Sequence, residues 1–211
     1  MKEIVVISGK GGTGKTSVVS ALADLGPKKV LADCDVDAAD LHLILEPEKE
    51  KTHEFWSGEL ASIDPDLCTE CSECIAHCRF GAISKDFKII KEHCEGCGLC
   101  FHVCPVQAIS MQPRLCGEWY ESRTRFGPLI HASLGIGEEN SGKLVTQVRQ
   151  ASHEKAKEKG LEMVLVDGSP GIGCPVIASL TNANLVLLVA EPTVSAVGDL
   201  RRVYELTHHF D

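Results

Sequence analysis

The chain has 211 residues, of which 44% are hydrophobic and 24% charged, so it is long enough for one ordinary domain with a small insertion. Its formal net charge of −9 argues against nucleic acid as the main partner, because phosphate contacts require clustered Lys and Arg. No apolar run approaches the ~20 residues that a membrane-spanning helix needs. We therefore expect a globular protein that neither binds nucleic acid nor spans a membrane.

The eleven cysteines are many for this length, and a disulfide framework is the first alternative. Residues 3–8 already have the pattern of a strand, so we expect no signal peptide at the start. The cysteine count is odd, and the spacings are those of metal ligands in cytosolic proteins. The sequence therefore predicts metal-binding thiols and a cytoplasmic location.

The first part of the chain alternates strands and helices. The β-branched run at 4–7 predicts a strand buried on both faces, and a glycine loop and a helix over 17–25 follow it. A second strand is predicted over 29–33, and a short helix or turn over 41–45. Residues 46–54 are rich in Glu and Lys, which predicts a solvated connection.

The glycine loop at 9–16 reads Gly-Lys-Gly-Gly-Thr-Gly-Lys-Thr and matches the Walker A pattern between a strand and a helix. Glycines let the backbone N–H groups point inward at phosphate, and the helix N-terminus adds its positive dipole end. Lys15 is expected to reach the β- and γ-phosphates and Thr16 to ligate Mg²⁺. The alternative is a glycine-rich turn without a ligand. The predicted nucleotide-binding residues are Gly9, Gly11, Gly12, Thr13, Gly14, Lys15, Thr16 and Ser17.

Residues 64–112 differ in character, being rich in cysteine and internally repeated. The segments 68–84 and 94–110 align with each other, and both end in Ala-Ile-Ser. Such a duplication is typical of a ferredoxin module with two clusters. The sequence predicts this module as an insertion into an α/β domain formed by residues 1–63 and 113–211.

Each repeat has the Cys-x-x-Cys-x-x-Cys-x-x-x-Cys spacing of bacterial ferredoxins. Four thiolates hold one 4Fe–4S cluster, and in two-cluster ferredoxins the last cysteine of each run ligates the other cluster. Paired Cys-x-x-Cys units also bind zinc, but the complete repeat favours iron–sulfur clusters. The predicted ligands are Cys68, Cys71, Cys74 and Cys104 for cluster 1, and Cys94, Cys97, Cys100 and Cys78 for cluster 2.

The two repeats differ after the fourth cysteine, where Pro105 follows Cys104 but Arg79 follows Cys78. The charge of Arg79 would raise the potential of a nearby cluster, and the alternative is a surface residue without effect. The other three cysteines, Cys34, Cys116 and Cys174, have no paired spacing and are expected to be buried free thiols, with Cys174, just after the Gly-Ile-Gly turn, as the first candidate for an exception.

After the module the α/β pattern resumes. The predicted elements are two strands or a hairpin over 115–124 and 128–134, a helix from about 141 to 159, strands over 163–167 and 185–190, and a helix over 195–209. Strands alternating with helices predict a doubly wound, mostly parallel sheet, and hence an α/β fold class.

The order of these motifs resembles the MinD/ParA superfamily of P-loop ATPases with an inserted two-cluster ferredoxin domain, related to the nitrogenase iron protein and Mrp-type ATPases. Gly-Glu-Glu-Asn-Ser-Gly-Lys at 137–143 and Asp-Gly-Ser-Pro-Gly-Ile-Gly at 167–173 belong to the resemblance, which covers essentially the whole chain. It implies ATP as the nucleotide and a nucleotide-dependent homodimer. Family members continue through a further strand and helices that help to hold the adenine, and we expect the ATPase domain here to end before them.

The resemblance also implies catalytic roles for four residues besides binding. Lys10 matches the family's signature lysine, which contacts the partner's nucleotide across the dimer, whereas a solvated lysine is the alternative. Lys15 is the Walker A lysine, Asp35 would orient the attacking water or the Mg²⁺ shell, and Asp167 would lie near Mg²⁺ through water. For both aspartates the alternative is a strand-end carboxylate bonded to backbone N–H groups.

Three functions remain open at this point. The first is an ATP-dependent redox protein in which nucleotide-driven dimer closure is coupled to electron transfer towards a redox partner protein. The second is an iron–sulfur assembly or carrier ATPase that delivers a cluster to an acceptor. The third is a positioning ATPase like MinD or ParA, in which the cysteine module is only structural.

Overall fold

The computed structural model describes residues 1–135, 137–138 and 140–209. These residues fall into two compact units. The first comprises Met1–Phe55, Gly117–Gly135 and residues 140–209, and the second comprises Trp56–Cys116 with residues 137–138. Among the described residues, no helix has the length and apolar character needed to cross a bilayer.

The elements follow one another in alternating order along most of the chain. They are β1 (Lys2–Ser8), α1 (Lys15–Asp24), β2 (Val30–Asp33), α2 (Leu41–Leu45), β3 (Glu48–Ile63), α3 (Glu73–His77), α4 (Leu99–Val103), β4 (Ile109–Thr124), β5 (Gly127–Leu134), α5 (Ser141–Lys159), β6 (Met163–Pro170), α6 (Cys174–Leu180), β7 (Leu185–Val189) and α7 (Val194–Thr207). The strands form one sheet in the order β3-β4-β5-β2-β6-β1-β7.

Parallel pairing dominates this sheet. Strand β1 is parallel to both β6 and β7, and β2 is parallel to both β5 and β6. Strand β4 pairs antiparallel with β5, to which the turn after Thr124 joins it. The predicted doubly wound, mostly parallel α/β sheet is therefore confirmed.

The core of the first unit follows from the apolar runs of its central strands. Val5, Val6 and Ile7 on β1 are fully buried, as expected for a parallel strand covered by helices on both faces. Burial of each such side chain stabilises the fold by about 1.5–3 kcal/mol. One core cluster joins the sheet to α1 and α2 through Val6, Val19, Ala23, Leu31, Leu41, Leu45, Leu129 and Leu165.

The segment 46–54 is largely exposed, as predicted, but the prediction of a connection is wrong because most of it belongs to β3. Charged residues are tolerated there because β3 is an edge strand, and edge strands commonly carry Lys and Glu. Arg123 on β4 binds Glu48 at 2.5 Å, and the ring of His53 stacks on Trp119 with centroids 3.8 Å apart. These cross-strand pairs help to hold β3 against β4, and the charge pattern of β3 alone does not reveal them.

The second unit has little regular structure, with the short helices α3 and α4 and a bridge between Ile83 and Ile89. Its buried core contains Ala61, Cys74, Ile83 and Ile109, against which four more cysteines and five apolar residues pack. The chain leaves the first unit within β3 and re-enters it within β4.

A buried arginine joins three elements of the first unit. Arg149 on α5 binds the carboxylate of Glu3 on β1, and the Arg149 Nε to Glu3 Oε1 distance is 2.7 Å. The same guanidinium donates to the carbonyls of Ala178 and Thr181, 2.6 Å and 2.7 Å away, at the end of α6. These charge-assisted bonds fix α5 and α6 on one face of the sheet.

His131 on β5 is a second buried polar residue, with 3% of its surface exposed. Its Nε2 atom lies 2.9 Å from the hydroxyl of Ser122, and its ring lies against those of His42 and Tyr120. Burial, with smaller contributions from the charges of His42 and Lys49, lowers the pKa of His131 to about 4. The imidazole is therefore neutral at pH 7.

This shift predicts a pH dependence of stability. Because unfolded histidine titrates near 6.5 and the folded residue near 4, the unfolded state binds more protons between these values. Stability present above pH 6.5 is thus lost as the pH falls towards 4, by on the order of 3 kcal/mol from this residue. The His131→Gln variant should not show this loss of stability towards pH 4. Urea unfolding between pH 4 and 7 gives the free energy of unfolding of the wild type and of the variant. Parallel pH profiles of the two proteins would contradict the assignment of this pH dependence to His131.

Candidate functional site

The predicted phosphate loop connects β1 to α1, and its glycines adopt conformations that other residues avoid. Gly12 and Gly14 have φ angles of 77° and 84°, in the left-handed region. A Cβ atom built on Gly11, Gly12 or Gly14 would meet nothing within 4 Å, so this part of the loop borders open space. The first turn of α1 begins at Lys15 beside that space, as phosphate binding at a helix N-terminus requires.

The first glycine of the loop has a different environment. A Cβ atom on Gly9 would lie 2.6 Å from the backbone carbon of Asp199 on α7, so glycine is needed there for close packing. Lys10 forms an ion pair with Glu191, and the two side chains are 37% and 35% exposed. Lys10 is thus paired within its own chain, and its predicted contact across a dimer stays a prediction.

Three of the predicted catalytic residues meet at the carboxyl ends of β1, β2 and β6. The Nζ atom of Lys15 lies 2.5 Å from Oδ1 of Asp167 and 3.3 Å from Oδ2 of Asp35, and Lys15 is 6% exposed. Burial acts to lower the pKa of Lys15, but the adjacent carboxylates outweigh it and hold the pKa above its ordinary value. Lys15 is therefore a buried cation held by two carboxylates.

Asp33 is a fourth member of this cluster and is fully buried. The sequence placed it beside Asp35 after the second predicted strand, but assigned it no role of its own. Burial, followed by the charge of Asp167, raises the pKa of Asp33 to about 8. Its carboxyl oxygens accept the N–H groups of Asp35 at 3.1 Å and Leu41 at 3.2 Å, and so shape the turn after β2. The sequence signal for this role was the position of Asp33 at the end of an apolar strand, two residues before Asp35.

Two buried oxygens at this edge lack a hydrogen-bond partner within the described residues, namely Oγ1 of Thr13 and Oδ2 of Asp167. Buried polar atoms are nearly always paired, so each such oxygen needs an explanation. A hydroxyl on the phosphate loop suits phosphate, and a carboxylate oxygen suits hydrated Mg²⁺. Thr16 is half-buried and interacts with Asp167, whereas Ser17 is exposed. The residues present therefore fit a nucleotide with Mg²⁺.

In the second unit, each predicted set of four cysteines surrounds a small pocket of its own. Cys94, Cys97, Cys100 and Cys78 line one pocket, and Cys68, Cys71, Cys74 and Cys104 line another. The structure thus brings together three cysteines of one repeat with the last cysteine of the other. This crossed arrangement is the one that two-cluster ferredoxins use.

Further contacts of the cysteines suit cluster ligands. The sulfur of Cys78 accepts the N–H of Ala82 at 3.4 Å, and that of Cys104 accepts the N–H of Ala108 at 3.2 Å. Such bonds tune iron–sulfur clusters. In the part of the chain that the structure describes, no three His, Cys, Asp or Glu side chains are close enough to share a single metal ion. The cysteines surround pockets and fit clusters placed within them.

Arg114 lies beside one of these pockets and was not predicted. Its side chain is 15% exposed, and its Nη1 donates to the carbonyl of Cys94 at 2.7 Å. Its Nε lies 2.6 Å from Oε2 of Glu138. No spacing rule marks an arginine ten residues beyond a cysteine motif, so only the fold could identify it.

The three remaining cysteines divide into two kinds. Cys34 and Cys116 are buried, as predicted, and Cys116 donates to the carbonyl of Ser57 at 3.0 Å. Burial raises the pKa of the Cys34 thiol well above its usual value, so it stays protonated. Cys174 is exposed, and the prediction that it is buried is wrong, because it is the first residue of α6 after Gly173.

The structure describes only part of the motif at 137–143, because residue 139 lies outside the described residues. Asn140, its fourth residue, is the N-cap of α5 in a left-handed conformation with φ of 74°. The predicted helix to residue 159 agrees with the observed one.

Comparisons with known sequences agree with this geometry. The 4Fe-4S dicluster domain family matches residues 61–111. The uncharacterized protein MJ0578 of Methanocaldococcus jannaschii is 39% identical over 212 residues, which cover 99% of this chain and 74% of that protein. The pyruvate synthase subunit PorD of Methanothermobacter marburgensis is 41% identical over 57 residues, which cover 27% of this chain and 70% of PorD. The iron–sulfur character of the inserted module is therefore established at the level of its family.

A comparison with solved structures identifies the fold of the larger unit. The septum site-determining protein MinD of Pyrococcus horikoshii, in complex with Mg-ADP, superposes with a TM-score of 0.52 at 18% identity. The match covers 99% of this chain but only 65% of the MinD chain. The predicted resemblance to MinD-type P-loop ATPases with an inserted iron–sulfur module is confirmed as far as the fold and the module.

The buried position of Lys15 predicts a cost of removing its charge. In Lys15→Met, the carboxylates of Asp35 and Asp167 lose their cation, and breaking a buried pair in this way costs about 3–5 kcal/mol. Adding Asp167→Asn should restore part of the loss because one uncompensated charge is removed. Urea unfolding of the single and double variants measures both values. A single variant as stable as wild type would show that Lys15 does not neutralise the cluster.

Proposed function

Because this chain belongs to the same family as MJ0578 of Methanocaldococcus jannaschii, and combines a MinD-type fold with a dicluster module, we propose that it is an ATP-hydrolysing iron–sulfur protein. Nucleotide-driven closure of a homodimer is coupled to electron transfer through two 4Fe–4S clusters. The observation that carries the proposal is the coexistence, in one chain, of the Lys15 carboxylate cluster and two four-cysteine pockets.

The phosphate loop and Lys15 supply the nucleotide site. The backbone N–H groups around Gly12 and Gly14 bind the phosphates, and Lys15 exchanges its contact with Asp167 for phosphate oxygens. Asp167 and Thr16 then hold Mg²⁺ and its water shell. The MinD structure of similar fold is complexed with Mg-ADP, which supports an adenine nucleotide at this edge.

Hydrolysis requires a base beside the attacking water. Burial raises the pKa of Asp35, while the charge of Lys15 opposes this effect. When Lys15 moves to phosphate, Asp35 becomes free to accept a proton from water. The water oxygen bonds to the γ-phosphorus, the bond from that phosphorus to the β–γ bridging oxygen breaks, and ADP and phosphate are formed.

Dimer closure depends on Lys10 in this proposal. Its ion pair with Glu191 lies at the surface, where such pairs contribute little. Lys10 therefore leaves Glu191 at small cost when the phosphate of a second copy's nucleotide approaches. This is the contact in trans that the resemblance to the MinD/ParA superfamily implies for Lys10.

The cysteines hold the redox group. Four thiolates per pocket retain a 4Fe–4S cluster, which supplies one-electron transfer. The side chains of Ile83, Ile109 and Met111 pack against the cysteines and limit the access of water to them. The module lies in the sequence between Asp35 and Asp167, and the chain enters and leaves it within β3 and β4. The two units are therefore joined by strands, not by Gly/Ser-rich linkers.

The test is a redox titration of the anaerobically purified protein, in which electron paramagnetic resonance measures the reduced clusters. A non-hydrolysable ATP analogue should shift at least one midpoint potential by about 60 mV, which corresponds to tenfold coupling for one electron. The Lys15→Met variant, which lacks the cation expected to contact the phosphates, is the control and should show a smaller shift, provided that urea unfolding shows it to be folded. Equal potentials with and without the analogue in the wild type would refute the coupling.

One observation favours the carrier function as a second candidate. Cys71 and Cys97 are exposed, which makes one ligand of each set accessible to an acceptor protein. ATP-dependent transfer of iron and sulfide to an acceptor lacking clusters, with loss from this protein, would support that function. Retention of the clusters after the acceptor has been removed would support the redox function.

Arg114 provides a separate prediction for the cluster held by Cys94, Cys97, Cys100 and Cys78. Its positive charge stabilises the reduced state, so Arg114→Gln should lower that midpoint potential by on the order of 50 mV. The exposed Arg79 is the matched control, and Arg79→Gln should have a smaller effect because water screens its charge. Potentials lowered equally by both variants would contradict a local role for Arg114.

A further inference from the structure

A pocket of about 420 Å³ lies in the first unit, away from the phosphate loop. It is lined by the turn between β4 and β5, the end of α5 and the segment before β2. Because β2 and β5 are parallel, these segments lie at the amino ends of the strands, whereas the phosphate loop follows the carboxyl end of β1. The pocket is therefore spatially separate from the nucleotide site.

Cationic side chains dominate the lining of this pocket, in a chain whose net charge is −9. They are Lys28, Arg123, Arg125, Lys155 and Lys159, and Glu50 is the acidic residue among the lining side chains. Such a concentration of positive charge raises the local concentration of anions.

Two of these cations have structural partners. Lys155 is buried and lies 2.5 Å from Glu121 and 2.9 Å from Glu158. Lys159 is in the last turn of α5, where a cation stabilises the helix dipole. These two residues add positive potential, but the fold alone accounts for their presence.

Lys28 and Arg125 lack such an explanation. The neighbouring Lys29 donates to the carbonyls of Leu22, Ala23 and Leu25 and so caps α1, but Lys28 is exposed and faces the pocket. The guanidinium of Arg125 lies 4.6 Å from the ring centroid of Phe126. Within the described ranges, neither cation has a carboxylate within ion-pair distance.

Arg123 can turn towards the pocket, beside Lys28 and Arg125, at a small cost in free energy. It pairs with Glu48 and Glu50, at 2.5 Å and 3.5 Å, but all three side chains are more than half exposed. Exposed pairs of this kind contribute about 0–1 kcal/mol. The guanidinium of Arg123 is therefore available to a ligand that offers a better anion.

The pocket also has an apolar part, formed by Phe126, Pro128 and Leu161. Small-molecule sites usually combine apolar walls with a few placed polar groups in 300–1,000 Å³, roughly the size found here. Guanidinium groups recognise carboxylate and phosphate in a bidentate manner. We propose that this pocket binds a small organic polyanion, through Lys28, Arg123 and Arg125, with its carbon skeleton against Phe126.

The proposal is tested by calorimetric titration with citrate and with inorganic pyrophosphate, in saturating ADP and a constant excess of free Mg²⁺, so that the phosphate loop stays occupied although both probes bind the metal. At least one probe should bind the wild type, and K28Q/R125Q should weaken that binding by about tenfold or more. The matched control is K2Q/R201Q, which removes two exposed cations elsewhere on the same unit and changes the net charge equally. Its affinity should equal that of the wild type.

Other outcomes overturn the proposal. Absence of binding by both probes, or equal weakening in the two double variants, would show that the pocket has no specific anion site. Tighter binding of a hexaglutamate peptide than of either small anion would assign the surface to an acidic protein segment. Thermal unfolding of both double variants serves as the folding control, since the substituted side chains are exposed.

Discussion

A buried lysine held by two carboxylates is the constraint on which the larger unit depends. Lys15 lies between Asp35 and Asp167, and Asp33 lies beside them with a pKa of about 8. The carboxylates of Asp35 and Asp167, at the ends of neighbouring strands, would repel each other without this cation. The parallel pairing of β1, β2 and β6 brings them together, because each strand ends at the same edge of the sheet. The same arrangement leaves Lys15 within reach of a ligand with stronger negative charge.

The cysteine module meets a different constraint. Its buried apolar core is small, with few fully buried side chains, and four thiols face each pocket. Small domains of this kind usually need covalent or metal cross-links in place of a large core. A cluster would join residues from both repeats, because the crossed ligand sets connect each repeat to the other. Ligand binding and folding of the module are therefore expected to be coupled.

The parts of the fold that the sequence predicted are those controlled by local spacing. The glycine loop, the two cysteine repeats and the apolar strands each carry their signal within a few residues. The edge strand β3 was missed because its charged residues are stabilised by partners on β4, such as Arg123 for Glu48, far away in the sequence. Arg114 was missed, and Asp33 was given no role of its own, for a similar reason, since their roles depend on which backbone groups the fold places beside them. The cationic pocket lined by Lys28, Arg123 and Arg125 likewise joins segments that are distant in the chain.

The most direct measurement is a crystal structure of the protein with Mg·ADP. The account predicts the diphosphate on the loop at Gly12 and Gly14, with the Nζ atom of Lys15 on the β-phosphate and no longer on Asp167. It predicts Mg²⁺ beside Thr16, with Asp167 in its water shell. A nucleotide bound elsewhere, with Lys15 still held between Asp35 and Asp167, would contradict the account.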